Sequence, residues 1–136
     1  MYLRDSLIAE FIEANFKPFE ADAVISVVTV AELKSIALQN KWGNSKLKRM
    51  KSFLSRFVIA DINTEDIIIR YAEIDAFSQG RLNSRISKFT SRNMGKNDIW
   101  IAATASVLDA TLLTTDNDFT HLHDEFLSVA KINLNN

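Results

Sequence analysis

Short β-branched runs alternate with amphipathic stretches along most of this chain, and the alternation predicts strands interleaved with helices. Leu7, Ile8, Phe11, Ile12 and Phe16 fall at helical spacing, and Pro18 ends that pattern. Val24-Ile25-Ser26-Val27-Val28 reads as a buried strand. Thr29 then opens a helix to about Asn40, with Gly43 as punctuation. Leu47, Met50, Leu54 and Phe57 mark a further helix, basic on its outer face, and Phe57–Ile62 a second strand. Thr64 caps a helix to about Gln79, and residues 80–96 form a loop or partly helical excursion. A helix over 98–109, a strand over 111–115, a short helical turn near 117–125 and a strand near 127–133 complete the pattern. The expected fold is α/β, a three-layer α/β/α sandwich on a mostly parallel sheet.

Ligands of such sheets bind beyond the carboxyl ends of the strands. Glu32 follows one strand, Asp116 and Asp118 follow another, and Asp98 opens the helix that leads into the latter. Topology therefore allows these acids to meet at one edge. Each has a plain structural alternative. Thr29-x-x-Glu32 has the form of a capping box. Asp98 is a first-turn acid with Asn97 as cap, favoured by the helix dipole. Asp116 and Asp118 suit a turn after a strand. As a set they are harder to explain away, because gathered carboxylates repel one another unless a cation joins them. A hard divalent cation such as Mg²⁺, which takes oxygen ligands, would serve.

Composition narrows the chemistry. With 136 residues, 47% hydrophobic and 24% charged, the chain has the profile of one globular domain. It has no cysteine, which removes disulfides, thiolate metal sites and thiol catalysis. No apolar run suits a membrane span and the first residues are too polar for a signal peptide, so the expectation is a cytoplasmic protein with no membrane partner. His121 and His123 lack the further ligands that zinc requires. There is no glycine-rich phosphate loop and no nucleophile elbow. Trp100 reads as core; Trp42, beside a basic run, reads first as cover for the core and second as a base-stacking platform.

Net charge is −1, yet the cations are not scattered. Residues 41–56 hold Lys41, Lys46, Lys48, Arg49, Lys51 and Arg56 with no acid between them. Residues 81–96 hold Arg81, Arg85, Lys88, Arg92 and Lys96, again with none. Such runs are either solvated faces or surfaces for a polyanion.

Asp98-Ile-Trp-Ile-Ala-Ala-Thr-Ala followed by Leu113-Thr-Thr-Asp116-x-Asp118-Phe119 resembles the second half of PIN-domain proteins, in particular the VapC-type toxins of bacterial toxin–antitoxin pairs. Ile25-Ser-Val-Val-Thr-Val-Ala-Glu32-Leu33 resembles the family's segment with its first glutamate, and Ala72–Ala76 and Arg92–Asn97 are also similar. Any one motif is modest; the ordered combination is specific. The resemblance covers most of the chain from about residue 24 and implies a single PIN-like domain over 1–136. It also implies a metal-dependent endoribonuclease that hydrolyses RNA phosphodiesters by a metal-activated water. Glu32, Asp98 and Asp116 would hold Mg²⁺ or Mn²⁺ and Asp118 would assist. Lys46, Arg49, Arg92 and Lys96 are the candidate RNA-binding residues. A homodimer and a cognate antitoxin are the implied partners.

One departure stands out. The family opens on a strand that ends in a metal-binding aspartate, whereas here the first acid is Asp5 in Arg4-Asp5-Ser6, too close to Met1 for a strand. The preferred expectation is that the first strand and its aspartate are missing, through truncation or a misassigned start. Exposed strand edges would be a liability, which favours the misassigned start. The alternative is a shortened strand with Asp5 as ligand. Two other functional classes remain open: a catalytically silent PIN-like module that binds RNA or a protein, and a metal-dependent nuclease acting on DNA.

Overall fold

A computed structural model describes residues 23–132. The expected helix over 7–16, together with Asp5, lies outside them. The chain divides into two compact units, residues 1–61 and 62–136.

In the first unit, β1 (Val24–Ser26) runs into α1 (Val27–Gln39), followed by α2 (Asn44–Leu54) and β2 (Val58–Ala60). β1 and β2 pair in parallel, with Ile25 opposite Ile59. The β-branched run does not continue as strand to Val28. Ser26 ends it, because its side chain accepts the Val28 N–H at 3.2 Å and so caps α1 three residues before the expected Thr29. Leu33 and Ala37 carry α1 into a core with Ile25, Val30 and Met50. Trp42, half-buried, packs on the same core, as its first reading required. The α2 face away from Met50 exposes Lys48, Arg49 and Lys51.

In the second unit, α3 (Glu65–Ser78) and α4 (Lys96–Val107) pack on each other. β3 (Thr111–Thr114) and β4 (Ser128–Lys131) form a second parallel pair. The crossover between them contains a single 3₁₀ turn over Thr120–Leu122. Thr64 caps α3 as expected, its hydroxyl accepting the Ile67 N–H at 3.3 Å. The cap of α4 is Gly95, not Asn97, so the helix begins earlier than the sequence suggested. Ile74, Phe77, Ile99, Ala102, Ala103 and Leu122 form the centre of this core, and Trp100 lies against it. The alanines let α4 approach its neighbours closely. Parallel strands with helical connections make the architecture α/β, as read from the sequence. Among the described residues no helix is long and apolar enough to cross a membrane.

Candidate functional site

The second unit contains both Asp98 and the Asp116–Asp118 loop. Asp98 sits in the first turn of α4 and is half-buried. Its carboxylate turns back toward the cap: a methyl group built on Gly95 would stand 3.6 Å from Asp98 Oδ2. An acid there is favoured by the unpaired N–H groups and the dipole of the helix. Lys96, at the very first helical position, has the opposite relation to that dipole and is exposed. Its place is not explained by helix stability.

Asp116 and Asp118 follow β3 and are exposed. The Asp116 N–H donates to Thr114 Oγ1 at 3.0 Å, which turns the chain as it leaves the strand. Phe119, 4% exposed, anchors the far side of the loop in the core. Between the two acids, the Asn117 carbonyl accepts from Thr120 Oγ1 at 2.9 Å and from Arg92 Nη1 at 3.4 Å. The Asn117 side chain accepts from Lys131 Nζ at 2.5 Å. A guanidinium and an ammonium are thus fastened to the middle of an acidic loop.

Arg92 reaches that position from the segment 79–95, which has no helix or strand but is tied down along its length. Gly80, at φ 72°, starts it with a backbone turn that other residues adopt at a cost. Arg85 donates to the Glu125 carbonyl and lies 4.3 Å from the centre of the Phe126 ring. Phe89 packs edge-on against Phe77 and His121, with centroids 5.2 and 4.9 Å apart. The Arg92 N–H donates to the Ser78 carbonyl at 2.6 Å.

Ser78 and His121 were not singled out by sequence reasoning as a pair. Ser78, wholly buried at the end of α3, places its hydroxyl 2.8 Å from His121 Nε2 and 3.2 Å from Met94 Sδ. Burial pushes the His121 imidazole below its usual range, the Arg92 guanidinium adds to that, and the Asp118 carboxylate pulls the other way. A histidine three residues past an acid pair was the available signal; its partner lies too far off in sequence to be read. His123 is engaged separately, its Nδ1 accepting the Val129 N–H at 2.9 Å and its Nε2 lying 3.4 Å from Asp124.

Glu32 belongs to the first unit, half-buried in the second turn of α1. With Ser26 as the cap, the capping-box reading of Thr29-x-x-Glu32 is overturned. Lys46 lies 4.3 Å over the Trp42 ring and Arg49 is exposed on α2. Carboxylates suit a hard dication. Among the described residues, no group of three or more histidine, aspartate or glutamate side chains is arranged as a metal site. An open cleft of about 270 Å³ lies elsewhere in the second unit, lined by Asp66, Ile69, Arg70, Glu73, Ser106 and Val107, and includes none of the candidate acids.

A family model described as the PIN domain matches residues 4–125. The chain is also similar to the solved crystal structure of VapBC2 from Rickettsia felis bound to a DNA fragment from their promoter. That match has a TM-score of 0.69 and 20% sequence identity, and covers 92% of this chain and 86% of that one. No curated protein matches the chain significantly.

Proposed function

The chain belongs to the PIN-domain family, and on that premise we propose that it is a VapC-type toxin, a metal-dependent endoribonuclease acting as one PIN-like domain over residues 1–136. The observation that carries the reading is the tie between Arg92 and Asn117, which puts a guanidinium on the loop bearing Asp116 and Asp118. Acids that could hold a cation, beside a cation that could hold a phosphate, form the pairing that phosphodiester chemistry uses. The similarity in fold to a VapBC2 structure supports the toxin subfamily.

In this proposal Glu32, Asp98 and Asp116 are carboxylate ligands of Mg²⁺ or Mn²⁺, and Asp118 is an accessory acid. Glu32 enters through the resemblance of the segment around it. A bound dication would supply charge neutralisation at the phosphoryl group. Arg92 and Lys96 bind backbone phosphates near the acids, and Lys46 and Arg49 bind them on α2. Lys96 supports this role, because a cation at a helix N-terminus is mildly unfavourable for the helix itself. A cognate antitoxin, a homodimer and a cytoplasmic location complete the proposal.

A second reading, a silent PIN-like module that binds RNA or a protein, is favoured by the lack of any three-ligand group among the described residues. Calorimetric titration of Mn²⁺ into the full chain separates the two. Saturable binding that is lost in Asp98→Asn and in Glu32→Gln is the outcome expected of the nuclease. A folded chain that takes up no Mn²⁺ overturns the metal-dependent reading in favour of the silent module.

A further inference from the structure

The contact between Ser78 and His121 joins two parts of the second unit that the sequence keeps far apart. Ser78 closes α3 and His121 lies in the 3₁₀ turn just after the acidic loop. The Ser78 hydroxyl has one hydrogen. If it went to His121 Nε2, the imidazole would carry its own hydrogen on Nδ1, a buried atom with no partner. An orphaned N–H in a buried place costs more than an unused lone pair. The hydrogen is better directed at Met94 Sδ, which leaves His121 Nε2–H to donate to Ser78 Oγ. A one-way chain results, from His121 through Ser78 to Met94, and the backbone of Ser78 simultaneously holds Arg92.

Each member of that chain fixes a different part of the same surface. His121 fixes the 3₁₀ turn that follows Asp118, Met94 fixes the start of α4, and the Ser78 carbonyl fixes the Arg92 backbone. Phe89 packs on the His121 ring and covers it from the side of the basic segment. Arg92 itself is exposed. Its direction depends on where its backbone is held and on the Asn117 carbonyl.

We propose that Ser78 and His121 are positioning residues which clamp the basic segment 81–95 onto the 3₁₀ turn, so that Arg92 is presented at the Asp116–Asp118 loop to one phosphate of a single-stranded RNA. The phosphate role rests on the function proposed above; the clamp does not. Neither residue touches the RNA.

The test uses the full chain and the variants Ser78→Ala, His121→Leu and His121→Gln, the last retaining an N–H donor near the Nε2 position. Trypsin cleavage after Arg81, Arg85, Lys88 and Arg92 reports the clamp directly. The Ala and Leu variants are expected to be cut several-fold faster there, and Gln to stay near the parent. Binding of a fluorescein-labelled oligouridylate, followed by anisotropy in EDTA over a series of salt concentrations, reports the phosphate contact. Loss of one contact lowers the slope of log K against log salt by about 0.7 for a single strand. Ser78→Ala and Arg92→Ala should each show that loss, and the double variant should show no more than either. A general loss of stability would not change the slope by one contact. Equal tryptic rates in all variants overturn the clamp, and additive losses in the double variant overturn its action through Arg92. If the parent binds no oligouridylate at low salt, the RNA reading has failed and the tryptic rates alone decide the clamp.

Discussion

The hydroxyl of Ser106 donates to the carbonyl oxygen of Phe126 at 2.6 Å, fastening the last turn of α4 to the chain just ahead of β4. Arg70 on α3 donates to the same hydroxyl, so one small side chain joins three segments of the second unit. Ser106→Ala removes both bonds and adds no bulk. A loss of about 1–2 kcal/mol is expected, read as a lower urea midpoint at unchanged slope. A midpoint equal to that of the parent would mean that water replaces the hydroxyl without loss.

Thr64 is the side-chain cap of α3. Thr64→Ala should cost about 1 kcal/mol, and Thr64→Ser, which keeps the hydroxyl, much less. Thermal unfolding of the three proteins gives the comparison. Equal losses in Ala and Ser would place the effect in the threonine methyl group instead of the cap.

His121 links stability to pH. Its folded pKa lies below the ordinary imidazole value of about 6.5, through burial first and Arg92 second, with Asp118 opposing. Between the two values the unfolded chain binds more protons than the folded one, so stability rises with pH in that window. The contribution is complete above the unfolded value and is lost as pH falls through it toward the lower folded value. His121→Gln should flatten the stability profile over this range relative to the parent. Parallel profiles would show that His121 is not the group responsible.

Asp98→Asn keeps the shape of the side chain and removes its charge. RNA cleavage is expected to be abolished, while folding stability falls by about 0.3–1 kcal/mol through the weaker interaction with the α4 dipole. Cleavage products on a denaturing gel and a urea curve measure the two effects. An equally active variant would remove Asp98 from the chemistry.

Much of the helical order was legible because it rests on local signals. Thr64 and the apolar spacing after it set α3, and the short β-branched run before Ser26 set β1. The errors came where two local signals competed. In Val24–Val28 the β propensity of valine lost to the Ser26 cap, since a short apolar run fits a buried first helical turn as well as a strand. That shift also removed the capping-box explanation of Glu32. At α4 the glycine ahead of Lys96 took the cap that Asn97 would have filled. The positions of Asp98, Asp116 and Asp118 relative to their elements were legible, because strand ends and helix starts are local. The Ser78–His121 contact was not, because it spans 43 positions and depends on how the 3₁₀ turn meets the end of α3.

The acid-free run on α2 has a kinetic consequence that the net charge of −1 conceals. A field from clustered cations acts before contact, over roughly the 10 Å of a Debye length at 0.1 M salt. A polyanion approaching this helix would be drawn in faster than a neutral partner, and salt would slow its arrival far more than it hastens its departure. A molecule that is nearly neutral when titrated as a whole can therefore still choose, by encounter rate, which side of itself a nucleic acid meets first.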